Sequence, residues 1–469
     1  MLKYIFSICL LFSFVQENKA QKELKTLHIA ELLQLVKKYH PVAKQSDLNI
    51  AKSEADILIS KAAFDPIARH YSAQKTFGTE SYYKYASSEI EIPTWFGIEV
   101  YAGLEQVRGA RFDPTETQGK SSYMGLSIPL AKDLLIDKRR AYLQQAKIYN
   151  SITQIEQRLI INDLLMEAAE SYWQWVKTYQ LFLTVKNNVA LNEKRLEMVR
   201  LSHKNGERPA IDTVEARAQL QSFQYQQNSN WLAFQNAGLA LSALLWKADG
   251  TPYILPEDVV PQQDWDNEIA MQNFNLILGD LTALAAENHP YLAIFNKKLA
   301  ILDIDKKLKF QELLPKIDLR YNQLGKNYNL LKTATTGPLF ENNYQYGLKF
   351  EMPLRLSQGR GEFQKAKLKI ADTRLEQSQK KLAIDIKIKS YFNEFQTLRT
   401  QIALQSNNVN NYQQLVRAEE TRLANGESSL FVVNSRESKA LEAQEKLIEL
   451  KTKYYKTIYA LQWSAGLLK

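Results

Sequence analysis

Cysteine is all but missing from this chain of 469 residues, and glycine and proline are sparse, at 17 and 13. The one cysteine, Cys9, lies in a segment laid out like an export leader. Lys3 gives a positive start, Tyr4 to Val15 is almost wholly apolar, and Asn18-Lys19-Ala20 precedes Gln21 as a small-residue cleavage site. Residues 1–20 are expected to be removed. Cys9 comes too early in the apolar run to be a lipoprotein cysteine at the cleavage point. Cleavage then leaves no cysteine, which excludes disulfides, thiolate metal sites and cysteine nucleophiles. Long hydrophobic runs are missing too. The leader's run is shorter than the ~20 residues a spanning helix needs, and no other stretch is as long and apolar. Entry into a membrane would have to be made with strands, because only helices and closed barrels satisfy their backbone groups in lipid.

Catalytic signatures are equally scarce. The five histidines, His28, His40, His70, His203 and His289, are scattered without metal-ligand spacing. There is no GxSxG, no HExxH and no glycine-rich dinucleotide loop. Gly119-Lys120-Ser121 has the end of a phosphate loop, but Pro114 occupies the place of its first glycine. The carboxylates on helical stretches are better explained by i,i+4 surface pairing than by acid/base chemistry. No enzyme, no cofactor and no metal are expected. The net charge of +9 arises from 60 basic and 51 acidic residues, thoroughly interleaved. The clusters Lys306-Lys307, Lys380-Lys381 and Lys387 with Lys389 lack the aromatic interleaving of a nucleic-acid site, and no nucleic-acid partner is expected.

What is present is a duplication. His40-Pro41 recurs as His289-Pro290, and Pro66 as Pro315, both 249 residues on. Arg140, Gln144, Ala146 and Lys147 recur as Arg360, Gln364, Ala366 and Lys367, 220 residues on. Asn187-Asn188-Val189 and Asn205-Gly206-Glu207 recur as Asn407-Asn408-Val409 and Asn425-Gly426-Glu427 at that same 220 offset. Three clusters that share one offset over more than sixty residues mark one unit used twice. The two offsets differ by 29, so the first copy carries that many extra residues between Pro66 and Arg140.

Each unit opens with a helix, 41–63 and 290–314, since proline suits a first helical turn and Pro66 and Pro315 end the runs. Alternating strands follow, over 66–130 and 315–354. From Tyr344 to Leu354, apolar residues at even positions alternate with Gln345, Gly347, Lys349, Glu351 and Pro353. In the first unit Ile98, Val100, Ala102 and Leu104 alternate with neighbours that include Glu99. Any half-buried antiparallel sheet alternates in this way. Two features favour a transmembrane barrel: an unbroken polar face that includes Glu99, Lys349 and Glu351, and aromatics (Tyr82, Tyr83, Tyr85, Trp95, Phe96, Tyr344, Tyr346) near strand ends, as interface girdles require. Then come runs without glycine or proline, Lys138 to Asn205 and Glu362 to Asn425, rods of ~100 Å at ~1.5 Å per residue. Each ends at Asn-Gly-Glu, a helix stop, and is followed by a returning helix to about Trp246 and Ala465. On the first rod Met166, Ala169, Trp173 and Val176 make one apolar seam, and Ala168, Tyr172, Trp175, Tyr179 and Phe182 make a second. Two seams mean a helix flanked on both sides, as in a bundle or a closed ring.

The order of leader, helix, strands, long helical hairpin, linker and then the same again resembles the outer-membrane efflux proteins of the TolC family. Gly125-Leu126-Ser127-Ile128-Pro129-Leu130 and Gly347-Leu348-Lys349-Phe350-Glu351-Met352-Pro353-Leu354 are similar to the family's strand that leads into its long helix. The likeness divides the mature chain into a first repeat (21–246), a linker (247–284) and a second repeat (285–469). It implies an α+β membrane protein: a homotrimer whose subunits share one outer-membrane β-barrel, continued into the periplasm by an α-helical barrel, with the linker at the waist. The tips at 205–212 and 425–433, with Asn205, Gly206, Glu207, Asp212, Asn425, Gly426 and Glu427, would form the entrance and meet a periplasmic adaptor, which bridges to an inner-membrane pump. The implied function is passive export of small molecules. A duct for type I protein secretion has the same outer component, and an elongated periplasmic coiled-coil scaffold that stays out of lipid is the reading from another class.

The chain departs from that family in two places. Relatives have two strands per unit, whereas the 29 extra residues supply another hairpin, Ser81 to Val107 with its turn near Pro93–Gly97, either in the barrel or outside it. Relatives also carry an acidic ring on the second tip, where this chain has Val432 and Ser435; Glu437 would be a displaced substitute.

Overall fold

The computed structural model describes residues 25–109, 113, 116–262, 264–266, 277–335 and 341–469. The expected leader, and the parts of the linker between 267 and 276, lie outside the described residues. The described residues begin with a short strand β1 (Lys25–Leu27) and helices α1 (Ile29–Tyr39) and α2 (Pro41–Lys61). Strands β2 (Ile67–Phe77), β3 (Glu80–Pro93), β4 (Glu99–Arg108) and β5 (Gly119–Pro129) follow, then the long helices α3 (Lys138–Lys204) and α4 (Ala210–Ser242). The linker holds β6 (Val259–Pro261), which pairs in parallel with β1, and α5 (Leu278–Asn288). The second copy comprises α6 (Pro290–Gln311), β7 (Lys316–Lys326), the short α7 (Leu330–Thr335), β8 (Tyr344–Glu351), α8 (Ser357–Ala424) and α9 (Leu430–Ser464).

The duplication is visible at the level of single hydrogen bonds. His40 caps α2 by accepting the Val42 N–H on Nδ1 at 3.3 Å, and His289 caps α6 by accepting the Tyr291 N–H at 3.2 Å. In both, proline fills the first helical position, where no N–H is needed. The rods differ by one residue in length, 67 against 68. The second begins five residues before the expected Glu362 and runs straight through Gly359 and Gly361. Gly359 is required there, since a β-carbon would lie 2.7 Å from the carbonyl oxygen of Glu312.

Six strands form one antiparallel sheet in the order β2-β3-β4-β5-β7-β8. The extra hairpin of the first copy is β3–β4, hydrogen-bonded to β2 on one side and β5 on the other. Adjacent cross-sheet rows show the alternation. One row runs Ile92, Val100, Leu126, Tyr321, Tyr346; the next runs Glu91, Tyr101, Gly125, Asn322, Gln345. The first face is apolar and largely open, with Ile90, Ile92, Leu348 and Phe350 all exposed, and only its far end is covered, by α7, whose Thr333 bonds to Ser122 at 2.9 Å. The second is polar and concave: residues of all six strands line one cavity of about 800 Å³. Two aromatics expected in an interface girdle are corrected by this register. Tyr83 and Tyr85 share their face with Glu89, and Tyr85 lines the cavity.

The main core lies where the two helical hairpins meet α1, the linker and the sheet-proximal helices. Leu32 and Val36, one turn apart on α1, are fully buried in it. Both seams of α3 are used: Met166, Ala169, Trp173 and Val176 are buried, and so are Ala168, Tyr172, Trp175 and Tyr179. Trp173 stacks on Tyr455 of α9 with ring centres 4.4 Å apart, and Trp175 stacks on Phe234 of α4. One seam thus grips the hairpin partner and the other grips the second repeat. Among the described residues, no helix is long and apolar enough to cross a membrane.

Candidate functional site

Two regions gather polar chemistry, and they lie at opposite ends of the rods. The first is the pair of tips. Gly206 and Gly426 adopt φ of +78° and +74°, the left-handed region that only glycine enters without strain. Each closes its helix with the same pair of bonds. Gly206 and Glu207 donate to the carbonyls of His203 and Ser202, and Gly426 and Glu427 donate to those of Leu423 and Arg422. The tips are linked to each other. Arg208 donates to Asp212 and to the Leu423 carbonyl, both at 3.2 Å.

Within about four turns of the tips, a buried polar cluster joins the hairpins. Arg195 of α3 donates to Glu437 of α9 at 2.6 Å and to Glu420 of α8 at 2.7 Å, while Asn192 donates to Glu437 at 2.9 Å. Burial pushes the Glu437 carboxyl above the usual glutamate range, and Arg195 opposes that shift. Glu437 is therefore directed into the bundle, while Val432 is half-buried and Ser435 exposed. Val189, Leu196, Val199, Leu220, Leu430 and Leu441 pack around the cluster. Sequence reasoning misses Arg195, Asn192 and Glu420. The signal that exists is spacing: Asn192 falls in the 3-4-3 series Val189, Asn192, Leu196, Val199, a polar residue on an apolar seam. Outward of the tips, Leu201, Ile211, Val214 and Phe431 are exposed apolar side chains.

The second region is the concave sheet face. Glu89 of β3 is its hub. It receives a hydrogen bond from Tyr123 of β5 at 2.7 Å and pairs with Arg320 of β7 at 3.6 Å and Arg69 of β2 at 3.9 Å. Arg69 also pairs with Glu91, and the Arg320 guanidinium lies 4.4 Å from the centre of the Tyr101 ring. Gly103, opposite Glu89, makes room for this: a β-carbon there would collide with the Tyr123 ring. The three polar-face residues expected from sequence share this face. Glu99 pairs with Arg139 at 2.9 Å and, at the other side, Lys349 pairs with Glu351 at 3.3 Å, both exposed.

Residues 284–467 match the model of the outer membrane efflux protein family. The matched stretch is the second repeat, which is thus similar to that family. Solved structures share the fold over nearly the whole chain. The channel CusC superimposes with a TM-score of 0.68 at 14% identity, covering 97% of this chain and 96% of its own. The outer membrane protein VceC of Vibrio cholerae gives 0.63 at 14%, covering 93% and 96%. The CmeC outer membrane channel of Campylobacter jejuni gives 0.61 at 14%, covering 94% and 86%. No curated protein matches the sequence. In this chain the six-stranded sheet and the four long helices follow one another along the rods, so the polar sheet face and the tips lie at opposite ends.

Proposed function

We propose that the chain is one subunit of a homotrimeric outer-membrane export channel: the sheets of three copies close into a lipid-spanning barrel, and their helices continue it as a tunnel through the periplasm. The observation that carries this is the inversion of the sheet. Its convex face is apolar and open except at the far end under α7, while its concave face holds paired charges around a cavity. A water-soluble sheet buries its apolar side; a barrel wall in lipid turns it outward and keeps polar groups in the lumen.

The duct performs no chemistry. Solutes pass along the face that carries Glu89, Glu99, Arg320, Lys349 and Glu351. The tips, with Asn205 to Glu207, Asp212 and Asn425 to Glu427, form the entrance, and the exposed Leu201, Ile211, Val214 and Phe431 suit an adaptor that brings helices of its own. An inner-membrane pump supplies the energy. Because Glu437 is engaged by Arg195 and does not face the opening, no acidic ring is assigned to the second tip.

Fractionation after an alkaline wash tests the location. A barrel stays with the outer membrane through the wash, whereas release into the supernatant would favour the periplasmic scaffold. Deletion of the gene in the source cell, followed by measured retention of expelled dyes or drugs, tests the export role; unchanged retention would count against it.

A further inference from the structure

The extra hairpin of the first repeat is part of the barrel wall, and we infer that three copies close an eighteen-stranded barrel, a wider pore than the duplicated unit alone would build. This rests on the trimeric channel reading above. The second repeat contributes two strands, β7 and β8, and the first contributes four. Without β3 and β4 the two repeats would match, and three subunits would supply twelve strands.

The ladder decides where the hairpin belongs. β2 pairs with β3 through eleven residue pairs, β3 with β4 through ten, and β4 with β5 through nine. β2 and β5 are therefore not neighbours: two whole strands separate them. Moving the hairpin out of the wall would break two ladders at once, and β2 and β5 would have to close a gap two strands wide to satisfy their backbone groups in lipid. The free edges are β2 and β8. β2 runs away from the helices and β8 returns to them, so β8 of one copy meets β2 of the next antiparallel. Six strands, an even number, keep the alternation unbroken around a closed ring.

Barrel diameter grows roughly linearly with strand number, and walls of about 16–18 strands enclose a water-filled channel. Eighteen strands in place of twelve widen the pore by about half. The hairpin also supplies charge to the lumen: Glu89, Glu91, Glu99 and Glu105 all lie on the concave face and belong to β3 or β4. The expected solutes are accordingly bulky and polar. The least apolar part of the outer surface is at β2, where Ala68, His70, Ser72 and Gln74 point the same way as Ile90. There His70 is bonded to Ser88 at 2.9 Å.

An electron cryo-microscopy map of the mature protein in lipid nanodiscs counts the strands directly. Eighteen in a threefold ring is the expected result. A threefold ring of twelve, with β3–β4 folded away from the wall, overturns this inference and leaves the channel reading standing; a particle without threefold symmetry or a pore overturns both. Exclusion of graded neutral polymers from the open channel gives an independent reading. A cut-off radius about half again that of a twelve-stranded relative measured alongside supports the wider wall, and an equal cut-off contradicts it.

Discussion

Arg195 and Glu437, 242 positions apart in the chain, meet at 2.6 Å between the two helical hairpins, just above the tips. The pair is nearly closed to solvent, with side-chain exposures of 11% and 8%. Removing one partner of such a pair strands the other. Glu437→Ala is expected to cost about 3 kcal/mol and to loosen the hairpins from each other, which raises resting conductance in a lipid bilayer. The exchanged double variant, Arg195→Glu with Glu437→Arg, should recover part of both effects. Additive losses in that double variant would show that the two residues act independently.

The tip glycines are equivalent, and a β-carbon added at either would meet nothing within 4 Å, so only backbone strain opposes substitution. Gly206→Val and Gly426→Val should each cost about 1–2 kcal/mol at a left-handed position. Assembly into the membrane should be normal while export falls, measured as trimer yield against dye retention. Unimpaired export in both variants would remove the tips from the entrance.

His289 provides the pH dependence. Burial, with Lys380 and Lys387 nearby, lowers its pKa to about 4. A histidine whose folded value lies below its unfolded one stabilises fully above pH ~6.5, and that stability is lost as pH falls towards the folded value. The loss amounts to ~3 kcal/mol across the window. Denaturant midpoints at pH 7, 5.5 and 4.5 measure the slope. His289→Asn keeps a helix-capping side chain and should flatten it; an unchanged slope would assign the titration to another group.

Trp173 stacked on Tyr455 fastens the first rod to the last helix. Trp173→Ala should destabilise by about 3–5 kcal/mol. The Tyr455 hydroxyl is buried without a hydrogen-bond partner, so Tyr455→Phe should be neutral or mildly stabilising. Thermal or denaturant melts of the two variants make the comparison, and a large loss in Tyr455→Phe would mean that the hydroxyl is engaged.

Local signals in the sequence account for much of this architecture. The even-odd pattern from 344 is a strand as far as Glu351, because one face meets apolar surroundings and the other water. Asn-Gly-Glu stops both rods because glycine alone takes the positive φ found at 206 and 426. The two seams on α3 stand apart in the sequence because aromatic and aliphatic residues recur at helical spacing on two faces. Long-range partners are not legible there. Whether the hairpin at 80–108 joins the sheet depends on ladder bonds to β2 and β5, which no local pattern encodes. Arg195 is one arginine among many on charged rods, and only a partner 242 residues away distinguishes it. Sequence places the start of α8 too late because glycine usually signals a break, whereas Gly359 is there to let the Glu312 carbonyl approach. Tyr83 and Tyr85 lie near a strand end, which suggests a girdle, but register decides which face they occupy.

The central claim is that a sheet with its apolar side outward closes around water in lipid. Single-channel recording of the purified, detergent-solubilised protein in a planar bilayer tests it most directly. Discrete, long-lived conductance steps are expected, with cation-to-anion preference altered by Glu89→Gln. A protein that stays monomeric in water without detergent and leaves the bilayer electrically silent would contradict it.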